Sequence, residues 1–289
     1  MRSRSFPFLI LVPIACWYVV FLVWPVINSF RTSFYEWNVI DPSFSPFIGL
    51  RNYIELLNDH VFIKSFWNTI IYVFLKTAIG VPLSLAVAVL LMRLKRGRDL
   101  HLFFIFLPAV CAVAAMSVLF RWLYQPTFGL FNTILKMLGL PPQGFLSDPA
   151  QAIYAIVATD IWQGLGYGTV IFLAGLMDIP VDFEEAAKID GATGWQSFFK
   201  VTLPLLGNVT LFVVVTTLIG AFQVFDRIAV MTNQGGPGTS SYVIAYFIYR
   251  YGIFHMRVGY ATAAAVIMFF MIIGLTLLQM RALKPRWRY

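Results

Sequence analysis

Residues 153–176 read IYAIVATDIWQGLGYGTVIFLAGL, an apolar run with a single charged side chain, Asp160. A helix needs about 20 such residues to cross roughly 30 Å of hydrocarbon, so the stretch predicts a transmembrane helix. The following residues, 177–206, read MDIPVDFEEAAKIDGATGWQSFFKVTLPLL. They switch to acidic and basic side chains with turn formers, and a second apolar run follows them. A span, an ordered polar loop and another span set the class of the molecule.

The same alternation extends outward in both directions. Apolar stretches at roughly 8–27, 69–91, 102–124, 152–177, 205–225 and 259–280 predict an all-α membrane protein with six spans. The chain divides into a first span with an external segment (1–68) and a five-span core (69–289) that contains the polar loop at 178–204. Its 289 residues are 60% hydrophobic and 12% charged, against about 25% charged in a soluble domain. That balance excludes a water-soluble enzyme, a disordered tail and a nucleic-acid-binding domain. The first run, after MRSR, is too long for a signal peptide and lacks a small-residue exit, so it reads as a span.

The net charge of +8 is punctuation at the ends of apolar runs. Six crossings put both termini on one side. That side holds 12 Lys/Arg: Arg2 and Arg4, the 93–98 cluster, Lys188 and Lys200, and four from Arg281 to Arg288. Seven fall on the other side, in longer loops, and Lys76 and Arg121 lie in or near spans. The positive-inside rule therefore predicts cytoplasmic termini and a cytoplasmic 178–204 loop. Trp24, Tyr35, Trp287 and Tyr289 sit near span ends, where amphipathic rings favour the interface.

Catalytic chemistry is not visible in the sequence. Cys16 and Cys111 lie in apolar blocks, and His60, His101 and His255 have no metal-ligand spacing, so no catalytic or metal-ligating residues are expected. No G-x-x-x-x-G-K-[ST] run is present, and the chain has no phosphate-cradling loop of its own.

The 178–204 loop reads as two short helices and a turn. Asp182 with Glu185 forms a capping-box pattern, Gly191 is the natural helix stop, and Thr193 with Gln196 repeats the box. Pro204 breaks the second helix before the fifth span. A plain interfacial connector is one reading. A DNA-binding helix-turn-helix is another, but Glu184, Glu185 and Asp190 have the wrong sign for phosphates. The third is a docking site, in which small residues at 186 and 187 permit close approach and Glu185 pairs with a partner's Arg.

The order Glu185-Ala186-Ala187, Gly191, Val201-x-Leu203-Pro204 resembles the EAA loop of ATP-binding-cassette importer permeases, with Val201 where isoleucine is more usual. GLRNYIELL (49–57), FWNTIIY (66–72), FDRIAVMTNQGGPGTSS (225–241) and GYATAAAV (259–266) resemble the carbohydrate-uptake branch of maltose and glycerol-phosphate importers, most of all its first permease. The resemblance implies a coupling helix held by a separate ATPase through Glu184, Glu185, Ala186, Ala187, Asp190, Gly191, Ala192 and Trp195. It implies that ATP and Mg are bound by that ATPase and not by this chain. It also implies a homologous second permease, a cytoplasmic ATPase dimer, an extracytoplasmic solute-binding protein, a sugar-type solute and a place in a prokaryotic inner membrane, with alternating access as the mechanism.

Asp160, Gln163, Gly164 and Tyr167 recur at i, i+3, i+4, i+7 and share one helix face. The face mixes hydroxyl partners with a flat ring, which suits a sugar. Gly164, Gly166 and Gly168 equally suit close helix packing, and Asp160 equally suits a structural pair with an Arg. The resemblance places solute contacts at Gln163, Gly164 and Tyr167, and at Thr217, Gly220, Ala221 and Val224 on the fifth span. Gln223 and Asp226 line an exit or pair with Arg227, and Lys76 snorkels. The 233–241 segment reads as a flexible connector or, by the resemblance, as a loop near the binding protein. Residues 28–68 predict an external amphipathic helix lying across the bundle mouth, or a plain interfacial helix. The scarcity of cations within spans argues against a phosphorylated solute. The rival class is an ion-gradient transporter or channel, which calls for coupled intramembrane acids or an internal repeat.

Overall fold

The structure is a computed structural model that describes residues 6–94, 96–232 and 234–283. Arg2, Arg4, Lys95, Asn233, Lys284, Arg286, Trp287, Arg288 and Tyr289, read above for orientation or loop character, lie outside the described residues.

Helices dominate the described residues, and strand-like pairing is limited to an isolated bridge between Tyr35 and Phe47. Four helices are long and apolar enough to cross a membrane: α1 (Leu11–Thr32), α3 (His60–Met92), α7 (Ala152–Met177) and α13 (Val258–Ala282). Two bent pairs bring the number to six if each is one span. They are α4 (Arg98–Val110) with α5 (Val113–Leu123), bent by 95°, and α9 (Gly194–Leu205) with α10 (Gly207–Phe222), bent by 69°. Shorter helices are α2 (Arg51–Asn58), α6 (Leu130–Met137), α8 (Val181–Ile189), α11 (Asp226–Met231) and α12 (Ile244–Tyr249).

Hydropathy alone misplaces some ends. The helix expected to start near residue 69 begins at His60, where the Asp59 carboxylate accepts from the Val61 N–H at 2.7 Å. The third apolar stretch is not one straight helix. Pro108 cannot donate to the helical ladder, and Cys111 and Ala112 turn to extended backbone, with ψ of 144° and 129°. Prolines also mark two widened turns: the N–H groups of Trp24 and Leu203, each just before a proline, reach back five residues to Val19 and Phe198. The break after α9 falls at Leu206, two residues beyond Pro204.

The chain forms two compact units, one from residues up to Ile63 with Phe247–Phe270, the other from Lys64–Tyr246 with residues from Met271 onward. In the first, α2 buries Asn52 and Leu56 and exposes Ile54 and Leu57. Asn52 donates to the carbonyls of Ser33 and Tyr35 at 2.9 and 3.1 Å. Arg257 pairs with Glu55 at 2.8 Å and lies over the Tyr260 ring, whose hydroxyl donates to Asp59 at 2.7 Å. The amphipathic helix of the sequence reading is therefore short, and its buried face joins an amide, Asn52, to one apolar side chain, Leu56. In the second unit the core joins Val81, Ala88 and Leu91 of α3, Phe172, Leu173 and Leu176 of α7, and Leu206 and Val213 beside and on α10. In the most apolar window of α7, 56% of residues are buried inside the chain, against none in α1, so α7 is the helix around which the second unit packs.

Candidate functional site

Two regions carry the sequence-predicted residues, and both belong to the second unit. The first is the polar face of α7. Asp160 is buried, and its Oδ2 meets Lys76 Nζ at 2.6 Å and the Tyr72 hydroxyl, which donates at 2.7 Å. Its Oδ1 meets Arg227 Nε at 3.0 Å. Arg227 Nη2 donates to Gln163 Oε1 at 2.9 Å, and Gln163 Nε2 donates to the Cys111 carbonyl at 3.0 Å. That carbonyl is freed by the break between α4 and α5, and non-helical backbone at membrane depth is tolerated where protein satisfies its polar groups. Gln163 thus ties the broken helix to the charge cluster, and both ends of its amide are engaged.

The four residues of the α7 face separate by environment. Asp160 and Gln163 are buried; Gly164 is exposed, and Tyr167 is 54% exposed. On α10, Ala221 is fully buried and Val224 just past the helix is buried, whereas Thr217 is half-buried and Gly220 exposed. A small cleft of about 40 Å³, room for little more than a water molecule, brings together Lys76, Ser84, Asp160, Gly164, Tyr167 and Thr217. The glycines divide as well. A side chain at Gly166 would collide with the α4 backbone at Ile105 and Phe106, and one at Gly168 with Ser84, but Gly164 faces open space. Gly166 and Gly168 are packing residues, and only Gly164 is available to a ligand.

Three expectations change here. Lys76 does not snorkel away from its surroundings but pairs with Asp160. Arg227 is buried against Asp160 and Gln163, and Asp226 beside it is exposed. The flexible-connector reading of 233–241 fails for its second half. Asn68 Nδ2 donates to the Ser240 and Tyr242 carbonyls at 2.9 and 2.8 Å, and the Ile244 N–H donates to Thr69 Oγ1 at 2.9 Å. The sequence signal for the cluster was Lys76 and Asp160 themselves, opposite charges inside apolar runs, which have to find partners in a low-dielectric interior.

The second region is the loop. Helix α8 starts after Pro180, so Asp182 is not its cap; it sits in the first turn with Glu184, where carboxylates complement the positive helix end. Gly191, at φ +76°, closes α8: its N–H donates to the Lys188 carbonyl at 3.1 Å and the Ala192 N–H to the Ala187 carbonyl at 2.9 Å. These two bonds are the Schellman closure, which suits a residue without a Cβ. The Thr193–Gln196 capping box forms with both of its bonds, at 2.8 and 3.4 Å. Ala187 is buried and Ala192 half-buried; Glu184, Glu185, Ala186, Asp190 and Gly191 are exposed. So are two large apolar side chains, Ile189 at 86% and Trp195 at 75%. Trp195 stacks on Phe199, rings 5.8 Å apart and 12° from parallel.

Among the described residues, an ion cluster buried in an apolar helical core and a helix pair on a polar loop with exposed apolar side chains make up what a transport permease requires. Residues 56–289 match the family described as the binding-protein-dependent transport system inner membrane component, and the chain belongs to that family. It is 33% identical to the probable ABC transporter permease protein YurN of Bacillus subtilis, over 98% of this chain and 97% of that protein. It is 33% identical to the sn-glycerol-3-phosphate transport system permease protein UgpA of Escherichia coli O157:H7, over 100% and 97% of the two chains. It is 29% identical to the arabinooligosaccharides transport system permease protein AraP of Bacillus subtilis, over 96% and 88%. Among solved structures, a bacterial ABC transporter involved in the import of the acidic polysaccharide alginate superposes with a TM-score of 0.86 at 25% identity, covering 99% of this chain and 98% of that one. The alginate transporter in complex with a pentasaccharide-bound periplasmic protein gives 0.83 at 25% identity, covering 96% and 93%.

Proposed function

We propose that the chain crosses a prokaryotic inner membrane six times with cytoplasmic termini, each bent helix pair counting as one crossing. In this reading it forms half of the solute path of an ATP-driven, binding-protein-dependent sugar importer. A homologous second permease supplies the other half, a solute-binding protein delivers the solute from outside, and a cytoplasmic ATPase dimer holds ATP and Mg. The observation that carries the reading is the 181–205 helix pair. It is fastened from within by Ala187 and closed by Gly191, and it presents Ile189 and Trp195 to its surroundings. Exposed apolar side chains on a rigid polar loop mark a protein-binding surface, and Glu184, Glu185 and Asp190 around them offer carboxylates for a partner's Arg.

The solute-facing residues in this reading are Gly164, Tyr167, Thr217 and Gly220. Asp160 and Gln163 fix the helices behind them, and Ala221 and Val224 pack inside. The relatives act on arabinooligosaccharides, sn-glycerol-3-phosphate and alginate, so the solute is of sugar or sugar-phosphate type. The mechanism is alternating access: closure of the ATPase dimer moves the docked loop, and the loop moves α7 and α10. The test is Gly191→Pro, which denies the loop the left-handed closing residue while leaving every span untouched. It is expected to reduce ATP-driven uptake in membrane vesicles at least tenfold with unchanged membrane insertion. Normal uptake by this variant would contradict the docking role. Uptake driven by the membrane potential without ATP would favour the ion-gradient rival.

A further inference from the structure

The charge cluster on α7 does not balance. Asp160 is its sole acid, and two cations, Lys76 and Arg227, sit on that one carboxylate. Helices α3, α5 and α10 contain no acidic residue. The one other nearby acid in sequence, Asp226, is exposed and forms no ion pair with Arg227 among the described residues. Three donors already reach its carboxylate: Oδ2 accepts from Lys76 and from Tyr72, and Oδ1 accepts from Arg227. A net positive charge therefore remains in an apolar core. Arg227 Nη1 is buried with no hydrogen-bond partner among the described residues.

An uncompensated charge at such a place is costly, and intramembrane ionisable groups mark the path of a solute or ion. Asp160 shares a single negative charge between two cations, so an anion brought to the site is attracted to them, and the position of Lys76 indicates where it arrives. Its side chain is 17% exposed, it lines the same cleft as Gly164, Tyr167 and Thr217, and its ammonium has three donors, one of them spent on Asp160. The sequence shows few cations within spans, which by itself disfavours an anionic solute; the fold gathers two of them around one acid and reverses that expectation.

We propose that the solute passing this chain carries an oxyanion, a carboxylate or a phosphate ester on a sugar, and that Lys76 meets it in the cleft while Asp160 and Gln163 hold Lys76 and Arg227 in position. This assignment rests on the importer reading above and names its substrate class. Tyr167, exposed and lining the same cleft, then offers its ring face to the sugar.

The test uses the whole importer, with second permease, ATPase dimer and binding protein, in liposomes loaded with ATP. Two matched pairs are offered: trigalacturonate against maltotriose, and glycerol 3-phosphate against glycerol. The wild-type complex is expected to take up the charged member of one pair at least tenfold faster than its neutral counterpart, and the pair that responds identifies carboxylate or phosphate. Lys76→Gln is expected to raise the half-saturating concentration for that anion tenfold or more, with the ATPase still co-purifying, and Lys76→Arg to restore most of the loss. Faster or equal uptake of the neutral member in both pairs overturns the assignment and leaves the importer reading intact; this arm needs no variant to fold. Unchanged anion uptake by a correctly assembled Lys76→Gln complex also overturns it. Absence of ATP-driven uptake of all four solutes likewise overturns the assignment, and the importer reading falls with it only if the ATPase also fails to co-purify with the wild-type chain.

Discussion

The polar face of α7 and the helix pair at 181–205 are both islands of polarity in an apolar chain, and they are built in opposite ways. Around Asp160 the polar groups turn inward: each carboxylate oxygen is engaged, and Gln163 reaches across to a carbonyl on a broken helix. In the loop the hydrogen bonds are short-range, within seven residues of chain, and the apolar groups turn outward at Ile189 and Trp195. The first region spends its charges on holding helices together. The second is finished internally and leaves its surface to something else. Interior groups of the first kind fail by unfolding, and surface groups of the second kind fail by losing a partner, so variants in the two regions should separate stability from transport.

The largest effect is expected at Asp160. Asp160→Asn leaves Lys76 and Arg227 facing each other in a buried site, and breaking a buried pair costs about 3–5 kcal/mol. The purified complex should lose thermal stability markedly in detergent, and replacing Lys76 by Met in the same chain should recover part of the loss. A stable Asp160→Asn complex would erase the contrast between the regions. A smaller effect is expected at Gly166, where a leucine has to displace the α4 backbone. Overpacking of this kind costs roughly 1–3 kcal/mol, whereas Gly164→Ala, facing open space, should fall within about 0.5 kcal/mol of wild type. Equal destabilisation at 164 and 166 would show that the two glycines do not divide into packing and open positions.

The smallest effect belongs to the loop. Thr193→Ala removes one bond of the capping box and costs about 1 kcal/mol, confined to the first turn of α9. Hydrogen exchange should quicken at residues 194–198 with no change in global melting. A shift of the global melting temperature would mean that the loop is part of the core.

Much of this division was legible in the sequence, unevenly. Apolar runs locate the four long helices and the two bent pairs because hydrocarbon imposes a minimum length, and they misjudge the ends because a polar first turn, as at His60–Ser65, extends a helix without being apolar. Gly191 and the Thr193–Gln196 box were readable because their partners lie within a few residues. The Asp182 cap was not, since Pro180 starts the helix earlier than the capping pattern alone suggests. The charge cluster joins residues 72, 76, 160, 163 and 227. No local pattern reports a pairing across such separations; an acid and a cation inside two spans say only that partners exist. Burial at 221 and 224 was similarly hidden, because helical periodicity groups residues on a face without saying whether the face points into the chain or out of it.

Coupled transport requires that the loop be the place where a cytoplasmic motor takes hold. Ile189→Cys, in a chain with Cys16→Ser and Cys111→Ser, provides a single thiol at its most exposed apolar position. Crosslinking in inside-out vesicles that contain the whole importer is expected to join this thiol to the ATPase subunit, with a yield that changes when ATP is added. Labelling of the same thiol by a membrane-impermeant reagent from the outer side of intact cells, with no adduct to the ATPase, would contradict it.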